Sequence, residues 1–207
     1  MTCWVLFDYG NVISRPQPQP DIDMLAQVSG CPVTEFLGAY WRHRVEYDRA
    51  ELDGVTYWQK VAAALGRTFS GAEIAELVRL DVLSWLHLQP GTVALIEDVA
   101  RSGHRLAMLS NAPAEVAEAI TALPVAAHFQ RTAFSCFLGS AKPDPGTYRA
   151  VLELLGARPP EVIFFDDRPE NVASAAALGI RAVLFTTPGE ARAALARYGI
   201  TTASNGG

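Results

Sequence analysis

The run Val162–Phe165, four apolar residues stopped by Asp166 and Asp167, constrains the fold more than any other stretch of this chain. A strand with one face in water alternates apolar and polar residues; this one offers no polar face, so both of its sides must be covered. Ala182–Phe185 repeats the pattern, and Trp4–Phe7 gives it a third time, ending in Asp8. From Gly91 onward such runs alternate with helical spacing. Helices are predicted over Thr92–Arg101, Pro113–Leu123, Pro145–Leu155, Pro169–Leu178 and Pro188–Tyr198, most of them opened by a proline, which fits the first turn. Strands are predicted over His104–Ser110, near Thr132–Phe137, over Val162–Asp167 and over Ile180–Phe185. The alternation points to an α/β fold, a Rossmann-like open parallel sheet with helices on both faces, completed by Trp4–Phe7.

Between the first strand and the rest the pattern is helical alone. "PQPQP" after Arg15 is a stiff extended linker, amphipathic segments follow over Val33–Arg49 and Tyr57–Leu65, and "LQPGT" closes the stretch. The expected organisation is an α/β core of residues 1–15 and 89–200, a helical insert of residues 16–88, and a frayed tail of residues 201–207. Within the insert, Arg42/Glu46 and Arg44/Asp48 read as ion pairs on a solvated helix face, and Trp41, Val45 and Leu52 as core of the insert.

Composition narrows the function classes. A net charge of −5 with scattered basic residues speaks against a nucleic-acid partner, and no segment is long enough to span a membrane. The apolar run Cys3–Phe7 is too short for a signal-peptide core, so the expected location is cytoplasmic. Three cysteines without CxxC spacing and four isolated histidines argue against a disulfide framework or a zinc site. Cys136 reads as a buried apolar residue.

In an open parallel sheet, ligands bind beyond the carboxyl ends of the strands, so the polar residues there are the ones to collect. They are Asp8, Ser110 with Asn111, and Asp166 with Asp167, joined by Lys142 in "SAKPDPGTY". Asp8 and Asp167 offer oxygens to a hard cation such as Mg²⁺, which keeps places for water and a phosphate. A carboxylate can attack a phosphate ester only when cations offset the repulsion, and Mg²⁺ with Lys142 would do so. Plainer uses stay open: Ser110 and Asn111 can cap the helix at Pro113, and of Asp166 and Asp167 one can cap the helix at Pro169 while the other, Asp167, binds metal.

The ordered set "LFDYGNV", "MLSN", "AKPDPGTY" and "VIFFDDRPENV" resembles the four motifs of the haloacid dehalogenase-like superfamily, and the insert lies where that family carries a C1-type cap. The resemblance implies an aspartyl-phosphate on Asp8, phosphate binding by Ser110 and Asn111, and a steadying Lys142. It further implies Mg²⁺ on Asp8, Asp167 and the Gly10 carbonyl, with Asp166 and Asn171 beside the metal. Gly10 departs from the pattern, because most phosphatases of the superfamily have a second aspartate there that protonates the leaving oxygen. The "DxGN" version is similar to small sugar-phosphate phosphatases and to the N-terminal phosphatase domain of soluble epoxide hydrolases. His43, Glu46 and Asp48 of the insert are the groups expected to reach a substrate if the insert closes over it, His43 and Glu46 foremost. The expected activity is Mg²⁺-dependent hydrolysis of a small-molecule phosphate ester, an anomeric sugar phosphate needing the least help, by a monomer or homodimer. The alternatives are 2-haloacid dehalogenation and a phospholigand-binding or interaction module with little turnover.

Overall fold

The computed structural model describes residues 3–202. Five strands form one sheet in the order β3-β2-β1-β4-β5, every pairing parallel: β1 (Trp4–Phe7), β2 (Arg105–Ser110), β3 (Arg131–Phe134), β4 (Val162–Asp166) and β5 (Arg181–Leu184). Side chains alternate across a strand, and here both faces are covered. Val5, Phe7, Met108, Ile163 and Phe165 join one apolar cluster with Leu95, Ile96 and Val99 of α6 (Pro90–Arg101), Ile120 of α7 (Ala114–Thr121) and Leu195 of α11 (Pro188–Arg197). Trp4, Leu6, Leu109 and Phe164 join the other, with Tyr148 and Val151 of α9 (Pro145–Leu155) and Ala175 of α10 (Pro169–Ala177). Each fully buried side chain of this kind contributes about 1.5–3 kcal/mol. β1, and β4 up to Asp166, are therefore apolar because both lie inside the sheet. β5 reads the same in the sequence, yet it lies at the sheet edge and Leu184 is 43% exposed.

The chain runs from β1 to β2 and β3 on one side, then returns to β4 and β5 on the other. That reversal opens a crevice at the carboxyl ends of β1 and β4, whose paired residues Phe7 and Phe165 bring Asp8 beside Asp166.

Five helices separate β1 from α6: α1 (Gln19–Ser29), α2 (Val33–Arg42), α3 (Arg44–Asp48), α4 (Gly54–Ala64) and α5 (Gly71–Ser84). They enclose their own apolar cluster around Phe36, Tyr40, Trp58 and Leu77. The two chain segments that enter and leave this region pair with each other: Ser14 bridges Leu88, Arg15 N–H donates to His87 O at 2.7 Å, and Gln89 N–H donates to Ile13 O at 2.8 Å.

Several sequence expectations are corrected. Val33–Arg49 is not one helix, because the backbone leaves helical geometry at His43 (φ −120°, ψ 18°) and resumes as α3. The end of "PQPQP" is not linker; Gln19 and Pro20 form the first turn of α1, where a missing N–H costs nothing. The strand expected near Thr132–Phe137 stops at Phe134, which pairs with the last residue of β2. The chain continues as α8 (Ser135–Leu138), ended by Gly139 at φ 64°. From residue 203 on, the expected tail lies outside the described residues. No helix among the described residues is long and apolar enough to cross a membrane.

Candidate active site

Asp8 follows β1 directly, and its backbone N–H donates to Phe165 O at 2.9 Å, which ties the ends of β1 and β4 together. Asp166 ends β4 and Asp167 follows it, so each of Asp8, Asp166 and Asp167 offers a carboxylate oxygen within 4.8 Å of the others. Lys142 Nζ sits 2.7 Å from both Asp8 Oδ1 and Asp166 Oδ2, and donates to Leu109 O at 3.1 Å. The ammonium is buried, so these contacts take the place of its water.

The neighbouring amides hold this arrangement. Asn111 Nδ2 donates to Lys142 O, and Lys142 N–H donates to Asn111 Oδ1, both at 2.9 Å, so Asn111 fixes the loop that carries the lysine. Asn171 Nδ2 donates to Asp166 Oδ1 at 2.9 Å, and Arg168 N–H donates to the same oxygen. Asn11, left-handed at φ 58°, donates to Asp167 Oδ2 at 3.0 Å; asparagine tolerates that backbone better than most residues. The capping alternatives do not hold. Neither α7 nor α10 receives a side-chain cap, because Asn111 is spent on Lys142 and Asp166 on Lys142, Arg168 and Asn171.

The charges in this cluster do not balance. Burial pushes the Asp8 carboxyl up to about 8, with Lys142 pulling against it and Asp166 and Asp167 adding to it. Among the described residues, three carboxyl groups face one ammonium, an excess of two negative charges once all three are ionised, and all the donors are hard oxygens. That donor set fits a divalent, oxygen-preferring cation such as Mg²⁺.

A cavity of ≈ 380 Å³ opens in front of the cluster, with Asp8, Gly10, Ser110, Asn111, Lys142 and Asp167 on the sheet side. Gly10 needs no unusual backbone, and a Cβ there would meet only the Trp85 ring at an ordinary 3.6 Å. The opposite wall comes from the helical segment: Trp41, Arg44, Val45, Asp48, Arg49 and Trp85. Trp41 and Val45, expected in the insert's core, are instead 45% and 53% exposed on this wall, while Leu52 packs on the cluster as expected. Arg44 is not on a solvated face. It is 5% exposed, with Nε 2.8 Å from Asp48 Oδ1 and Nη1 2.9 Å from Asp81 Oδ2, and it also donates to the Tyr40 hydroxyl. His43 and Glu46 do not line the cavity; they pair with each other at 3.1 Å. Asp48, expected with them to reach in, does line the cavity, whereas Arg44, Arg49 and Arg168 were missed as site residues. For Arg44 and Arg49 the signal was the charge-dense stretch "RHRVEYDR", in which spacing alone does not say which residues turn inward; Arg168 directly follows the acids in "VIFFDDRPENV".

A family model described as haloacid dehalogenase-like hydrolase matches residues 9–179. A phosphatase of Mycobacterium tuberculosis is 32% identical over 198 residues, covering 93% of this chain and 91% of that protein. Among solved structures, a haloacid dehalogenase family enzyme of Bacteroides thetaiotaomicron, an Asp-to-Ala variant in complex with magnesium and inorganic phosphate, superposes with a TM-score of 0.73 at 18% identity. It covers 90% of this chain and 95% of that one. An L-2-haloacid dehalogenase of Xanthobacter autotrophicus superposes with a TM-score of 0.71 at 19% identity, covering 97% and 85%. At such identities the structural likeness shows the fold.

Proposed function

The chain belongs to the haloacid dehalogenase-like hydrolase family, and from that premise we propose that it is a Mg²⁺-dependent phosphomonoesterase acting on small-molecule esters through a phosphoryl group carried on Asp8. The observation that carries this reading is the cluster of Asp8, Asp166 and Asp167, answered among the described residues by Lys142 alone. Held by Asp8, Asp167 and the Gly10 carbonyl, with Asp166 and Asn171 beside it, Mg²⁺ would supply the positive charge that lets a carboxylate approach a phosphate dianion. Lys142 aims Asp8 and draws it towards its ionised form, which the charge of the metal would complete. The Ser110 hydroxyl and the Asn111 N–H hold the phosphoryl oxygens while Asp8 attacks the phosphorus.

Residues 16–88 serve as a cap that supplies the far wall of the cavity. Trp41 and Trp85, edge to face at 6.5 Å between ring centroids, suit a flat or ring-shaped leaving group such as a sugar. Arg49 and Arg168 add positive charge that draws an anionic ester in. The phosphatase reading is favoured over dehalogenation because the phosphatase relative is similar across nearly the whole chain, whereas the dehalogenase shares the fold.

Release of phosphate from p-nitrophenyl phosphate tests the proposal. Turnover should require Mg²⁺, stop on chelation and vanish in Asp8→Asn. Activity that survives chelation would overturn the metal dependence, and tight binding of esters without turnover would replace the enzyme with a binding module.

A further inference from the structure

When a phosphate ester is cleaved, the leaving oxygen takes the electron pair of the broken bond and needs a proton unless it is a weak base. Gly10 has none to give. Among the described residues, those lining the cavity include no histidine, cysteine or glutamate. Lys142 is locked between Asp8 and Asp166, Asp167 is tied to Asn11 and belongs to the acid cluster, and the Tyr9 hydroxyl already donates to Trp85 O at 2.8 Å. The carboxyl that remains is Asp48.

The fold places Asp48 with some care. The Ser135 hydroxyl donates to Asp48 O and accepts from Ala112 N–H at 3.0 Å, so the residue is one hydroxyl away from the turn that carries Ser110 and Asn111. Arg44 Nε holds Oδ1 at 2.8 Å, and among the described residues Oδ2 has no hydrogen-bond partner. The groups that face it are Arg44, Asp81, Tyr57 and Cys136 around its base, and Arg168 from the loop after β4.

We propose that Asp48 is the general acid and base of this site, the proton-transfer group that Gly10 does not supply. The inference rests on the phosphatase reading. An Asp8 oxygen bonds to phosphorus as the ester P–O bond breaks; its electron pair goes to the leaving oxygen, which takes the Asp48 proton and departs as the alcohol. The Asp48 carboxylate then removes a proton from water as the water oxygen bonds to phosphorus. The Asp8–phosphorus bond breaks with its electron pair returning to Asp8, leaving inorganic phosphate and a protonated Asp48. Burial raises the Asp48 carboxyl against the pull of Arg44, the direction a proton donor near neutral pH requires.

Asp48→Asn keeps the shape and an oxygen for Arg44, and comparing two esters decides the role. On an alkyl phosphate, turnover should fall on the order of 10²–10⁴-fold. On p-nitrophenyl phosphate, whose leaving group needs no proton, the variant should still release one equivalent of p-nitrophenol per site in a fast burst, followed by slow steady release. Gly10→Asp in the same background should restore alkyl turnover. Parallel losses on both esters without a burst, or no loss on either, would overturn the role of Asp48. Should the variant not fold, the wild-type protein decides: alkyl and aryl esters turned over within about tenfold of each other support an acid in place, and a gap beyond about 10²-fold overturns it. A wild-type protein inactive on both esters sinks the phosphatase reading itself, a distinct result.

Discussion

Two buried charge clusters line the same cavity. At the end of the sheet, Asp8, Asp166 and Asp167 cluster around one cation among the described residues, Lys142, which pairs with Asp8 and Asp166. In the helical segment, Arg44 lies between Asp48 and Asp81, with the Tyr40 hydroxyl donating to Asp81 at 2.6 Å and the guanidinium over the Tyr40 ring at 5.2 Å. The second comes nearer to closing on itself: Arg44 and Asp81 satisfy each other, and the carboxyl left over is Asp48, the proposed proton carrier. The first keeps an excess of negative charge and opens onto the cavity. A buried pair that balances holds shape; a buried cluster that does not balance waits for a ligand.

Removing Asp8 should show this contrast most strongly. Asp8→Asn is expected to lower phosphate release on the order of 10³-fold or more, yet to leave thermal stability unchanged or raised, since it relieves repulsion. A large drop in melting temperature would mean the sheet-end cluster is structural as well.

Arg44→Met should do the opposite. It strands Asp81 in the core and should cost about 3–5 kcal/mol in denaturant unfolding. A loss under about 1 kcal/mol would show that the helical cluster is not what holds α3 against α5.

The third test is the pH dependence of the chelated protein. The folded state holds a proton on Asp8 up to about 8, well above the ordinary carboxyl range near 4. The stabilising contribution is therefore full below pH ~4 and lost as the pH rises towards about 8. Added Mg²⁺ should restore stability more at pH 8 than at pH 5, by about 2.7 kcal/mol at a hundredfold excess over its dissociation constant. Equal gains at both pH values would separate the metal from Asp8.

The smallest effect is expected on the exposed wall. Trp41→Ala should raise KM for a ring-bearing ester by about threefold to tenfold, on the order of 1 kcal/mol, and move stability by no more than about 0.5 kcal/mol. A large stability loss would return Trp41 to the core of the helical segment.

Much of this was legible in the residue order. The inner strands were visible because burial on both faces leaves an uninterrupted apolar run, and Asp8, Ser110, Asn111 and Asp166 were visible because the polar residues that end such runs lie at one edge of a parallel sheet. The helical stretch gave less. Arg44 and Asp48 at helical spacing look like any surface ion pair, and His43, Glu46 and Asp48 look equally able to reach a substrate. The break at His43 and the ion pair of Arg44 with Asp81 of α5 turn Arg44 inward with Asp48 beside it, and leave His43 and Glu46 paired outside the cavity.

By itself, then, the sequence determined the parallel sheet, the strand-end acids and the absence of a side chain at Gly10, because each follows from local pattern and covalent identity. Only the tertiary structure decided that β5 is an edge strand, that Trp41 and Val45 face a cavity, and that Asp48 stands over the turn after β2. Those outcomes depend on which surfaces meet, and contacts between residues far apart in the chain leave no trace in local spacing.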